Sequence, residues 1–297
     1  MSVRQPVFRF APSPNGELHL GHALSALVGY ERAMAAGGRF LLRIEDIDIG
    51  RTRPEFVDGI FEDLAWLGLA WEEPVLFQSQ RFDAYRAAAR QLEAMGLLYP
   101  CFATRSEIDA AAAPGAADPD GAPLYPGIWK GRAPEEIARM RETGVPAAFR
   151  IDMEAALQVA SANLGGRPLT FIELGVDGEA QTIEARPKRW GDAVIVRKDV
   201  PTSYSLAVVV DDAWQGVTHV TRGRDLLAAT DLHRLLQVLL DLPEPAYHHH
   251  RLIVDESGRK LAKSAKDTSL RELRAQGATP TAVRRLVGLA PGAATRP

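Results

Sequence analysis

The stretch RFAPSPNGELHLGHALSALVG, residues 9–29, decides how this chain is read. It passes from an apolar, strand-like start through a Pro/Asn/Gly turn into a helical pattern. The segment VFRFA at 7–11 is expected to be a short strand and Pro12 to Gly16 a turn. A helix is expected from Leu20 to about Ala36, because Leu20, Ala23, Leu24, Leu27, Val28 and Met34 recur at roughly helical spacing. His19 and His22 fall three apart where that helix begins. A helix N-terminus has unpaired N–H groups and a partial positive charge, which suit phosphate. Residues three apart share a face, so both imidazoles are placed to meet one ligand. Gly21 leaves room for that ligand to approach the backbone. By itself, H-x-x-H is more often a capped helix with two surface histidines, so other segments must decide.

Working outward, RFLLRIEDID at 39–48 reads as a second strand whose alternation puts Arg43 and Glu45 on one face and Leu42 and Ile44 on the other. Helices are expected near 54–67 and 81–95. This β-α-β-α order favours a parallel sheet with helical crossovers. At Tyr99 the character changes. AAAAPGAADPDGAPLYPG at 110–127 reads as an irregular loop. AAFRID, LTFIEL and AQTIEA then read as short strands separated by turns, as in an antiparallel module. The α/β pattern returns with WGDAVIVRKD and YSLAVVVDDAWQGVTHVTRG, and an apolar helix is expected from about Asp225 to Leu240. The expected division is a first α/β half over 1–98, an inserted α+β module over 99–189, a second α/β half over 190–243, and a lysine-rich loop with a short helical segment over 244–297.

A chain of 297 residues can bury a large core, and its 46% apolar and 25% charged content is an ordinary globular mix. No run of about 18 apolar residues exists to span a membrane. The opening MSVRQPVFRF lacks the apolar core of a signal peptide. The single cysteine, Cys101, excludes an intrachain disulfide and fits a reducing compartment, so a cytoplasmic location is expected. The net charge of −3 is unevenly spread: from Arg251 onward ten Lys/Arg face four Asp/Glu, leaving −9 on the rest. Such a basic end is either a solvated face or a guide for a polyanion.

DESGRKLAKS at 255–264 adds a tight turn and a loop bearing Lys260, Lys263 and Ser264. Alone it would be solvated surface. Paired with HLGH about 240 residues earlier, it resembles the HIGH and KMSKS signatures of class I aminoacyl-tRNA synthetases. RFAPSPNGELHLGH, LLRIEDID, VVVDDAWQGVTHVTRG and DESGRKLAKS together resemble the glutamyl/glutaminyl branch, over nearly the whole chain except the 110–125 loop and the last few residues. The resemblance implies a Rossmann-type parallel-sheet catalytic domain with an inserted acceptor-binding-like module and a short stem-contact-like helical end. It implies glutamate contacts at Arg9, Phe10, Ala11, Pro12, Ser13, Glu45, Tyr204 and Arg222. It implies ATP, with Mg2+, at His19, Gly21, His22, Lys260, Lys263 and Ser264, with His19, His22 and Lys263 as the catalytic donors. The residue chemistry agrees: Arg9 and Arg222 can fork onto carboxylates, and Glu45 can receive an ammonium.

About 33 residues follow Ser264, where tRNA-charging members of the branch continue into an anticodon-binding region. In this the chain resembles the glutamyl-Q tRNA(Asp) synthetases. The resemblance then implies transfer of glutamate to a cyclopentene hydroxyl of queuosine, the modified wobble base of tRNA(Asp), by a monomer. Two other readings compete: a truncated enzyme charging the 3′ end of tRNA(Glu), and an inactive RNA-binding module. That family often carries zinc on Cys-x-Cys and Tyr-x-x-x-Cys; here the positions hold Cys101, Ala103, Tyr125 and Trp129. Zinc wants four ligands, so none is expected, and packing around Trp129 is expected to hold the insertion instead. YHHHR at 247–251 is expected to be a loop or strand end rather than a metal site, since adjacent strand residues point to alternate faces. VDD at 210–212 is expected to cap a strand end or to line the site.

Overall fold

The structure is a computed structural model that describes residues 5–253 and 268–290. Strand β1 (Val7–Phe10) enters α1 (Leu20–Ala35), which returns as β2 (Arg39–Ile44). Helix α2 (Pro54–Trp66) leads to β3 (Glu72–Phe77), and α3 (Phe82–Ala94) to β4 (Leu98–Cys101). Next come α4 (Arg105–Ala111), α5 (Pro134–Glu142), β5 (Ala148–Ile151), α6 (Met153–Asn163), β6 (Thr170–Leu174), β7 (Ala180–Glu184) and β8 (Val194–Val196). Helix α7 (Tyr204–Trp214), β9 (His219–Gly223), α8 (Thr230–Leu239) and β10 (Ala246–His250) follow, and beyond residue 267 lie α9 (Leu270–Ala275) and α10 (Pro280–Leu286).

Seven strands form one sheet in the order β3-β2-β1-β9-β10-β6-β7. Every pairing is parallel except the β6–β7 hairpin. Chain order runs outward in opposite directions from β1 and β9, so a topological switch point lies between them. A crevice opens at such a point beyond the C-terminal strand ends, where α/β proteins bind ligands. A separate antiparallel sheet has the order β4-β5-β8.

Apolar periodicity sets which face each helix buries. Helix α1 packs Ala23, Leu24 and Leu27 against Phe8, Phe10, Phe40 and Leu42 of the sheet. The opposite layer gathers Leu92, Leu206, Val209, Leu232, Leu235 and Leu236 from α3, α7 and α8. Leu270 and Val283 of α9 and α10 join the first cluster, and the Leu270 N–H donates to the Leu18 carbonyl at 2.8 Å. The segment that follows residue 267 is thereby fastened to the chain entering α1.

Four expectations need correction. The division at 99 and 189 does not follow the sheets: β6 and β7 lie inside 99–189 yet extend the main sheet, while β8, placed with the second half, closes the small one. Composition marks where a chain becomes irregular, whereas joining a sheet needs only a free edge of N–H and C=O groups. The strands AAFRID and LTFIEL are separated by a helix, α6, not by a turn alone. Asp152 caps it by accepting the Ala155 N–H at 3.1 Å, and Met153, Ala156 and Ala160 bury its inner face. Finally, residues 210–212 lie in the last turns of α7 rather than at a strand end, and YHHHR is mostly strand, in register with β9 from Ala246–His219 to His250–Gly223.

Asp63 on α2 is 2% exposed, with Arg274 of α9 at 3.6 Å. Burial pushes its carboxyl from 3.8 up to about 6, against the pull of Arg274 and Arg271. The folded state therefore binds this proton more tightly than the unfolded chain, so the group's contribution to stability falls as pH rises from about 4 through about 6. Asp63→Asn is expected to raise unfolding stability at pH 7 by about 1–3 kcal/mol, and the gain should fade near pH 4. Urea denaturation at the two pH values checks this; an equal effect at both would contradict it.

Candidate active site at the switch point of the sheet

The site begins at the first turn of α1. His19 is the N-cap, and its Nδ1 accepts the Gly21 N–H at 3.0 Å. His22 Nδ1 accepts the His19 N–H at 3.3 Å, and the ring centroids are 3.9 Å apart. A nitrogen that accepts carries no proton, so each neutral ring bears its hydrogen on Nε2. The helix backbone thus selects one tautomer in both rings and gives the site two N–H donors. A Cβ at Gly21 would stand 2.9 Å from His19 Cε1. In that direction the room at Gly21 is filled by the His19 ring, so there the glycine serves the cap rather than a ligand's approach.

Across the sheet lies a buried charge network. Arg43 of β2 is fully buried and donates from Nη1 to Asp212 Oδ1 at 2.7 Å and to Gln215 Oε1 at 3.0 Å. Its Nη2 donates to Glu45 Oε1 at 3.1 Å. Arg9 of β1 reaches the same aspartate, Nε to Oδ1 at 3.2 Å and Nη2 to Oδ2 at 3.4 Å. Burial alone would raise the Asp212 carboxyl, but Arg9 and Arg43 outweigh it and hold it at about 2. Burial also raises Glu45, where Arg43 and Arg9 offset it only in part. The Glu45 N–H donates to the Pro12 carbonyl at 3.0 Å, which brings the end of β2 onto the 11–13 loop. Ala11 is half-buried, Pro12 buried and Ser13 exposed. Phe10 points the other way, into the core under α1.

Arg222, at the C-terminal end of β9, completes the wall. Its Nη2 donates to Thr230 Oγ1 at 2.8 Å, its Nε to His249 Nε2 at 3.1 Å, and its Nη1 lies 3.2 Å from His233 Nδ1 and 3.4 Å from the Tyr204 hydroxyl. Every one of these partners is neutral, and among the described residues no carboxylate pairs with this 5% exposed guanidinium. Burial, then Arg222, push His233 well below the usual histidine range. Because Nδ1 accepts from Arg222, the His233 proton sits on Nε2, which is buried without a partner among the described residues. A buried cation beside an orphaned donor fits an anionic ligand group. Burial raises the Tyr204 hydroxyl, with Arg222, Glu45 and Arg9 all exerting charge on it, so the two halves of the wall form one cluster.

The structure therefore brings together Arg9, Pro12, Glu45, Tyr204 and Arg222, which the sequence nominated. Lys260, Lys263 and Ser264 lie outside the described residues. Sequence reasoning missed Thr230, His233 and His249, gave Arg43 no role, and reached Asp212 only within VDD, for which lining the site was one of two expectations. The signals were present: an acid pair ends an apolar run in AVVVDD, and Thr230 and His233 stand at i,i+3 on α8. The neighbouring Asp211 is occupied elsewhere, accepting from Arg81 Nε at 2.6 Å, Tyr85 at 2.5 Å and Gln78 at 3.0 Å. The histidines of β10 diverge as expected: His249 meets Arg222, while His250 Nε2 lies 2.7 Å from Ser25 Oγ of α1 and His248 Nδ1 lies 2.7 Å from the Leu174 carbonyl.

Near the small sheet, Cys101 Sγ donates to the Tyr125 hydroxyl at 3.4 Å, and that oxygen accepts the Trp129 N–H at 2.7 Å. Trp129 packs edge-on against Phe102, and Arg150 lies 3.9 Å over the Tyr125 ring. One thiol and one phenol, with Ala103 and Trp129 in the remaining positions, do not fit a tetrahedral zinc. Among the described residues no group of three or more His, Cys, Asp or Glu side chains could hold a metal.

A helix capped by histidines and buried arginines at the strand ends offer donors of the kind that meet phosphate and carboxylate groups. The family model for the catalytic domain of class I tRNA synthetases (E and Q) matches residues 6–293. A glutamyl-Q tRNA(Asp) synthetase of Rhodobacter capsulatus is 45% identical over 289 residues, covering 95% of this chain and 100% of that protein. One of Symbiobacterium thermophilum is 40% identical, covering 93% and 83%. The crystal structure of a glutamate tRNA ligase from Elizabethkingia meningosepticum in complex with its amino acid superposes with a TM-score of 0.73 at 26% identity. It is covered over 60% of its length by 96% of this chain. The chain belongs to the class I tRNA synthetases of the glutamate and glutamine branch, with the glutamyl-Q tRNA(Asp) synthetases, and is an enzyme of the ligase class.

The Asp212 bridge should be indispensable to the wall. Asp212→Asn keeps the shape but removes the carboxylate paired with both buried arginines, and is expected to cost about 3–5 kcal/mol. Urea denaturation at pH 7 measures this; a loss below about 1 kcal/mol would show that the bridge behaves like a surface ion pair.

Proposed function

We propose that this enzyme activates glutamate with ATP and transfers it to queuosine at the wobble position of tRNA(Asp). The observation that carries the glutamate reading is Arg222, a buried cation surrounded by neutral partners, ready for a carboxylate. The choice of queuosine is supported by the name of the relative matched over its whole length at 45% identity.

In the first step the glutamate α-carboxylate attacks the α-phosphorus of ATP, pyrophosphate leaves, and glutamyl-adenylate forms. Charge grows on the phosphate oxygens, and donors already in place stabilise it without reorganising. His19 and His22 supply Nε2–H groups at the start of α1. Lys260, Lys263 and Ser264, which lie outside the described residues, supply further donors to ATP. Mg2+ bound with ATP neutralises phosphate charge. Arg222 and Tyr204 take a glutamate carboxylate, Arg9 and the Ala11–Ser13 backbone flank the amino acid after Phe10, and Glu45 receives its ammonium. In the second step a queuosine hydroxyl attacks the activated carbonyl, the new ester C–O bond forms as the acyl–phosphate bond breaks, and AMP and the hydroxyl proton leave. RNA loops can splay a base into a pocket, so the anticodon loop itself enters the cleft. The 99–189 segment, with the small sheet, faces the RNA, α9 and α10 lie along its stem, and the protein works as a cytoplasmic monomer without zinc.

Labelled glutamate offered with ATP to tRNA(Asp) with queuosine, tRNA(Asp) without it and tRNA(Glu) tests the reading. Label on the first alone is expected; label on tRNA(Glu) would make the 3′ end the acceptor, and none at all would point to an inactive binding module. His22→Ala and Lys263→Ala should each slow glutamate-dependent pyrophosphate exchange by about 100- to 1,000-fold, the usual effect of losing one preorganised donor. Near-normal exchange in both would refute their roles.

A further inference from the structure

The mechanism leaves unused the histidine of β10 that touches Arg222 and the acid behind it. The Arg222 Nε–H can only donate, so His249 Nε2, 3.1 Å away, must accept. The single proton of the neutral ring then sits on Nδ1, which lies 2.7 Å from Glu173 Oε2. The other oxygen of the same carboxylate accepts the His249 backbone N–H at 2.8 Å. One acid therefore fixes both the tautomer and the orientation of the ring. Thr230 Oγ1 accepts from Arg222 Nη2 at 2.8 Å and stands 3.3 Å from the same His249 nitrogen. The ring is further held by stacking on Tyr247, 5.9 Å between centroids at 6°.

From this geometry we infer that Glu173 and His249 are positioning residues that hold Arg222 in its carboxylate-binding pose while leaving its charge unspent for glutamate. The inference rests on the reading of Arg222 as a glutamate contact. A carboxylate set directly against Arg222 would neutralise it and compete with the substrate. A guanidinium with no fixed acceptor at Nε would turn among several poses. Setting the acid one imidazole away orients the guanidinium without cancelling it, as a carboxylate behind a histidine does at other sites. Glu173 comes from β6, paired with β10 at Tyr247. The strand that the 99–189 segment adds to the main sheet thus supplies a residue on which glutamate binding depends.

Pyrophosphate exchange with the full-length chain tests this. Glu173→Gln keeps the shape but turns an N–H toward Nδ1 whenever its oxygen holds the backbone N–H, forcing the ring proton to Nε2 against Arg222. It is expected to raise the KM for glutamate about tenfold or more, the cost of one unsatisfied buried bond. The KM for ATP should stay within about twofold, a change too small to signal a lost interaction, with the melting temperature near that of the parent. His249→Phe, which keeps a ring but no acceptor, should do the same. The inference is overturned if both variants leave the glutamate KM unchanged while Arg222→Lys raises it. It is equally overturned if both KM values rise together with a lowered melting temperature, since that reports general damage. If Arg222→Lys leaves the glutamate KM unchanged, the reading of Arg222 itself fails and takes this inference with it.

Discussion

The site is organised by one carboxylate held between two buried arginines. Asp212 comes from α7, Arg9 from β1 and Arg43 from β2, and each would be costly to bury alone. Together they satisfy one another at 2.7–3.4 Å. The bridge ties a helix of one layer to the two strands beside the switch point. It also orders what lies above it, because Arg43 holds Glu45 and the Glu45 backbone holds the Pro12 loop. That loop leads, through Gly16 and Leu18, to the capped start of α1. The arginine–carboxylate network and the capped start of α1 are thus joined by one continuous stretch of bonded chain.

Charge is handled differently on the two walls. Arg9 and Arg43 are neutralised by Asp212 and Glu45, and they act as framework. Arg222 is oriented by Thr230, His233, Tyr204 and His249, none of which offsets its charge. A buried cation left in this state is a poor stability device, which accords with the carboxylate-binding role proposed for it. The α1 histidines are likewise fixed by the backbone, which engages the Nδ1 atom of each ring and leaves the proton of the neutral ring on Nε2. Around the small sheet, Cys101, Tyr125, Phe102 and Trp129 form a packed cluster held by its own hydrogen bonds and ring contact. Its bonds need no metal to satisfy them.

Much of this was legible in the residues. The 3.6-residue period of α1, the alternation of RFLLRIEDID and the punctuation at Pro12–Gly16 depend on near neighbours, and they carried the α/β plan, the histidine pair and the shared face of Arg43 and Glu45. Glu45, Arg9, Tyr204 and Arg222 were nominated by the family resemblance, and for the two arginines and the glutamate the residue chemistry agreed. The helix α6 was missed because MEAALQVASAN is only weakly amphipathic, and its cap, Asp152, reads equally well as the end of the preceding strand.

What the sequence by itself determined, then, was local: element types, the cap on α1 and the kinds of ligand its side chains could meet. Tertiary structure decided which edge each strand joined, so that β6 entered the main sheet and β8 left it. It also decided which charges cancelled. Asp212 and Arg9 are 203 positions apart, and Glu173 and His249 are 76 apart. No local period encodes such pairings, because they follow from burying several charged groups in one place and leaving each to find the nearest partner.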